Sequence, residues 1–175
     1  MRSLIMGLLA LLCVCAESTV LQGIAIRGIL PNLSLILVIS YSLLRGSHGG
    51  RCFGLTIGLL QDVIFFNTVG FYGLLYYLLG HLCGYFCRDM NRENYVLPLL
   101  AVLAGDFLYC LINYFFLYLL AGDTGLFYYF RTRFLPEMCY TGLLTLPVYG
   151  LMTLLTRGLD TLQKRIARHR RIRES

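Results

Sequence analysis

Glu17, Asp62 and Asp106 each stand inside a long apolar run. A charged side chain is costly there, so it turns toward other helices or a cavity. At ~1.5 Å of rise per helical residue, Glu17 lies ~21 Å from Ser3, Asp62 ~20 Å from Gly49 and Asp106 ~17 Å from Tyr95, the ends of their runs expected on the inner side. The matching depths predict one polar cluster, between the midplane and the outer leaflet, of Glu17, Gln61, Asp62, Asp106 and Asn113. No Lys or Arg falls at that depth to neutralise it. Two readings fit: a binding pocket or proton relay, or hydrogen-bonding glue between helices.

A second pattern leads into the first. Gly50, Gly54 and Gly58 recur every four residues, and Asp62 continues the row. That spacing places them on one helix face, where missing side chains let another backbone come close. The row is expected to be a packing face, inside the bundle or for a partner helix, with a gating hinge as the other reading.

Other chemistry is poorly served. The seven cysteines are scattered through apolar runs without a CxxC pair. They read as small hydrophobes at helix contacts, and no disulfide framework follows. His81, Cys83 and Cys87 share one helix end but lack a fourth ligand, so no metal or cofactor is expected. No phosphate loop, zinc-protease helix or nucleophile elbow occurs, and the chain is not expected to be an enzyme.

The elements that hold these residues follow from composition. The 175 residues are 58% hydrophobic and only 14% charged, and mean hydropathy is +0.70. So small a domain exposes too much surface to hide that apolar share from water, so lipid is the expected solvent. Six runs approach the ~30 Å of hydrocarbon: Ser3–Leu21, Ile29–Leu44, Gly49–Phe66, Thr68–Cys87, Tyr95–Ala121 and Leu135–Thr156. The expected fold is all-α, a compact polytopic bundle of about six transmembrane helices. It divides into a membrane domain over 1–156 and a basic tail over 157–175. Arg2, a leucine-rich run and Val14-Cys15-Ala16 also suit a cleaved secretory signal, but the first segment is expected to stay as a span.

Charge sets the direction. With the N-terminus inside, twelve Lys and Arg lie on the inner side, and three (Arg27, Arg131, Arg133) on the outer. The expected location is the bacterial plasma membrane with both ends in the cytoplasm. The net charge of +6 comes largely from the tail, with Arg157, Lys164, Arg165, Arg168, Arg170, Arg171 and Arg173. Leu159, Leu162 and Ile166 give it helical spacing, so it either extends the sixth helix or lies on anionic inner lipid. Nucleic acid is not expected as a partner. On the outer side, Gly122–Pro136 mixes aromatic and basic residues: Phe127, Tyr128, Tyr129, Phe130, Arg131 and Arg133. An interfacial helix is expected there.

The combination of Gly50-x3-Gly54-x3-Gly58-Leu59-Leu60-Gln61-Asp62, Gly70-Phe71-Tyr72-Gly73-Leu74 and Pro31-Asn32-Leu33 resembles the MreD family of rod shape-determining membrane proteins. The resemblance covers nearly the whole chain. It implies a non-enzymatic component of the bacterial cell-elongation machinery. Implied partners are an MreC-like single-span protein, the actin-like MreB filament, the RodA glycosyltransferase and a class B penicillin-binding protein. The same span count also resembles the substrate-capture subunits of vitamin transporters, which bind a small molecule near the outer face. Their first helix carries small residues four apart, whereas Val14 follows Ala10 here. A proton-coupled carrier using Asp62 and Asp106 would need paired halves with broken helices, which this short chain lacks.

Overall fold

The computed structural model describes residues 2–23, 30–66, 70–86, 96–119 and 130–173. Among them are six helical segments and no strand. Helix α1 is Arg2–Gly23, and α2 is Leu33–Arg45. Helix α3 is Ser47–Gln61 and runs on through a π-helical turn, Asp62–Phe66. Helix α4 is Phe71–Phe86. Helix α5, Val96–Asn113, ends in the π-helical turn Tyr114–Leu119. Helix α6 opens with a π-helical turn, Phe130–Phe134, and continues as Leu135–Arg173.

The shortest helix lies at the centre. Ten of the thirteen residues of α2 are buried, and α2 touches every other helix. Its two ends are built differently. At the C-terminus Gly46 turns the chain into α3 with φ +80°, a conformation that favours glycine. At the N-terminus Asn32 Oδ1 accepts the Leu35 N–H at 3.0 Å, an N-cap.

Around this core the outward surface is apolar. Leu8 and Leu12 on α1, Leu74 and Leu78 on α4, Leu100 and Leu111 on α5, and Leu143 and Leu154 on α6 are all exposed. A water-soluble monomer does not show so wide an apolar surface, whereas lipid accepts it. Val96–Phe116 and Phe130–Leu159 are each long and apolar enough to cross a bilayer, and Leu33–Arg45 is a shorter apolar helix.

Phe130, Arg131 and Arg133 are wound into the π-helical turn that opens α6. Phe134 anchors this turn, its ring packing on Phe107 at 5.4 Å and on Phe130 at 4.7 Å. Phe127, Tyr128 and Tyr129 lie outside the described residues. At the other end α6 passes 156 without a break and carries the basic segment onward as helix. No proline interrupts residues 157–173, so nothing stops it there.

Candidate functional site

The glycine row of α3 meets the backbone of α4. A Cβ at Gly58 would collide with the Tyr72 carbonyl and the Gly73 backbone, one at Gly54 with the Tyr76 carbonyl, and one at Gly50 with the Gly80 carbonyl. The contact is reciprocal: a Cβ at Gly80 would strike the Gly50 carbonyl, and one at Gly84 the Ser47 backbone. The two helices thus run antiparallel in close approach along their length. Side chains of α2 close the edge of the seam: Ser42 lies against Gly50 and Gly84 and donates its hydroxyl to the Gly80 carbonyl, and Val38 lies against Gly54 and Gly80.

Asp62 closes the end of this seam. Its Oδ1 accepts the Tyr72 N–H at 3.0 Å, and its Oδ2 accepts those of Gly70 and Gly73, both at 3.0 Å. These donors open α4, and a helix N-terminus carries partial positive charge that favours a carboxylate. Gly70 adopts φ +111° to present its N–H.

Glu17 does the same for α2. Its Oε1 accepts the Ser34 N–H at 2.5 Å, and its Oε2 accepts the Ser34 hydroxyl and Gln61 Nε2, both at 2.7 Å. Gln61 Nε2 also donates to Ser34 Oγ at 3.1 Å, so α1, α2 and α3 share one knot. A helix of thirteen residues is ~20 Å long, short of the ~30 Å of hydrocarbon. In a bilayer its first N–H groups are out of reach of water, so their partners must come from the protein. Glu17 and Asn32 supply them.

Asn113 joins through aromatic residues. Its Oδ1 accepts the Tyr72 hydroxyl at 2.8 Å, and its Nδ2 donates to the Tyr109 carbonyl at 3.0 Å. Tyr76 stacks on Tyr109 at 5.7 Å and donates its hydroxyl to Asn32 Oδ1 at 3.1 Å. The single expected cluster is therefore two linked groups, Glu17 with Gln61 and Asp62 with Asn113, joined through Asn32, Tyr72, Tyr76 and the chain between Gln61 and Asp62. Asp106 belongs to neither. It sits about two helical turns from Asn113 and faces α6, near Cys110 and Glu137.

Tyr76, Tyr109 and Glu137 were not expected in the site, and Asn32 was expected only as part of the family pattern, not as a cap. Asn32 follows a proline and precedes an apolar run, an N-cap signal available in the sequence. Glu137 had no such marker, because only the α5–α6 contact brings it to Asp106.

At the opposite end of the bundle Arg45 donates to the Thr156 carbonyl at 3.3 Å, tying the end of α2 to α6. Arg51 pairs with His48 beside it. Beyond that point the backbone of α6 carries Lys164, Arg165, Arg168, Arg170, Arg171 and Arg173. At the α6 start, Arg131 and Arg133 are exposed.

A family model described as rod shape-determining protein MreD matches residues 1–159. No curated protein and no solved structure matches the chain. The match takes in every described helix as far as Leu159, including the glycine seam and both capping carboxylates, and the chain belongs to the MreD family of rod shape-determining membrane proteins.

Proposed function

We propose that this chain works in rod-shape determination as a non-enzymatic membrane scaffold. It crosses the bacterial plasma membrane about six times with both ends in the cytoplasm. In this reading it joins an MreC-like single-span protein and the MreB-like filament to peptidoglycan synthesis by RodA and a class B penicillin-binding protein.

One observation carries the reading. The polar residues that a ligand pocket would use, Glu17, Gln61, Asp62 and Asn113, bond to one another's helices and close helix ends. That leaves the outer surfaces as the working parts. The apolar flank suits a partner's membrane helix. The basic end of α6 suits anionic inner lipid or an acidic face of the filament. Among the described residues no contact favours the substrate-capture reading.

In-cell cross-linking followed by affinity recovery of the tagged full chain tests this proposal. The MreC-like protein should be recovered with the intact chain and with a chain ending at Gly158. The filament protein should be recovered much less with the shortened chain. Recovery of neither partner with the intact chain, at normal expression and rod shape, would overturn the scaffold.

A further inference from the structure

Asp106 differs from Glu17 and Asp62, the other two acids of the apolar runs. Glu17 and Asp62 accept N–H and O–H donors at close range, whereas Asp106 is fully buried and neither of its oxygens has a hydrogen-bond partner among the described residues. Thr141 of α6 stands beside it but outside hydrogen-bond geometry. A buried acceptor with nothing to accept from is costly, so its retention calls for a cation or a proton at that point.

The surroundings indicate which. Asp106 and Cys110 are four residues apart on α5, hence on one face, and Glu137 approaches from the first turn of the regular part of α6. A carboxylate oxygen of each acid and the Cys110 Sγ all lie within 4.8 Å of one another. Tetrahedral coordination with metal–oxygen bonds of ~2.0–2.2 Å and a metal–sulfur bond of ~2.3 Å sets ligand atoms about 3.5 Å apart. Side-chain rotation alone can close the difference. Cys110 is buried and Glu137 is half-buried, so the group is enclosed on the α5 side and open past Glu137.

We infer that Asp106, Cys110 and Glu137 form a binding site for one divalent transition-metal ion of the zinc class, which pins α5 to α6. Two carboxylate oxygens with one thiolate exclude magnesium and calcium, which take oxygen ligands throughout, and match zinc, cobalt or ferrous iron. The Thr141 hydroxyl or a water completes four-coordination. Binding displaces the Cys110 proton to solvent, and the three anionic ligands take up the dication. The sequence alone pointed to no metal because Glu137 is far from the other two along the chain.

The purified full chain in lipid nanodiscs, stripped with chelator and titrated with cobalt, gives a direct test. One cobalt per chain should bind with a thiolate-to-cobalt charge-transfer band, and zinc should displace it. Cys110→Ser should abolish the band, while Asp106→Asn and Glu137→Gln should each weaken cobalt binding by about tenfold or more. Cys139→Ser, a thiol on the exposed side of α6, should leave the band unchanged. No charge-transfer band in the unmodified chain, or a band that survives Cys110→Ser, overturns the site. Retained helicity and melting temperature in the metal-free Asp106→Asn protein separate lost ligation from lost fold.

Discussion

A carboxylate at bilayer depth persists only where something offsets its loss of water, and Glu17 and Asp62 find that offset in helix N-termini. Each faces backbone N–H groups that would otherwise be dry, so one interaction satisfies both partners. Asp62→Ala leaves the Gly70, Tyr72 and Gly73 donors without their acceptor and should cost about 3 kcal/mol. Asp62→Asn keeps one accepting oxygen and should cost about half of that. Unfolding of the purified protein in mixed micelles measures both, and equal stability of Asp62→Ala and the parent would remove the capping role. The meeting of Glu17 with the Gln61-Asp62 pair was legible in the sequence, because helix rise is fixed. Their backbone partners were not, because capping depends on which helix ends nearby. Asp106 shows the limit most clearly: its spacing resembles that of the other two acids, yet its neighbours come from α6.

At the scale of elements, the α3–α4 hairpin is held by backbone contact. A Cβ at Gly54 or Gly58 would press on main-chain atoms of α4, which cannot rotate aside as a side-chain tip can. Gly54→Ala and Gly58→Ala should therefore each destabilise the bundle by about 2 kcal/mol, the range for overpacking a close contact. Gly150→Ala on α6, where a Cβ meets nothing within 4 Å, should be neutral or slightly stabilising. Micelle unfolding midpoints of the three variants decide this, and a loss at Gly150 equal to that at Gly54 would refute the seam. The face itself was readable, since four-residue spacing lines up on any α-helix. Its occupant was not, because Gly73, Gly80 and Gly84 of α4 do not repeat at one regular interval. The π-helical turns after Gln61 and Asn113 were equally hidden, as nothing in Asp62–Phe66 or Tyr114–Leu119 breaks the α-helical pattern.

At the scale of the whole molecule, α2 and α6 mark the extremes of length. Helix α2 is shorter than the hydrocarbon is thick and is enclosed by its neighbours, so its ends are capped by protein. The regular part of α6, at 39 residues, is ~58 Å long, nearly twice the thickness it has to cross. The surplus is its basic half, and the Arg45 bond to the Thr156 carbonyl marks where that half begins. Lys and Arg close to a span are retained on the cytoplasmic side, so this end should face inward and Arg131, at the other end of α6, outward. Impermeant maleimide labelling gives the outcome directly. Arg131→Cys should react in intact spheroplasts, whereas Gln163→Cys should react only after lysis, with the parent chain measuring background from native cysteines. The reverse pattern would invert the bundle and put the basic helix out of reach of any cytoplasmic filament. The orientation and the scaffold reading therefore stand or fall together on where Gln163 is found.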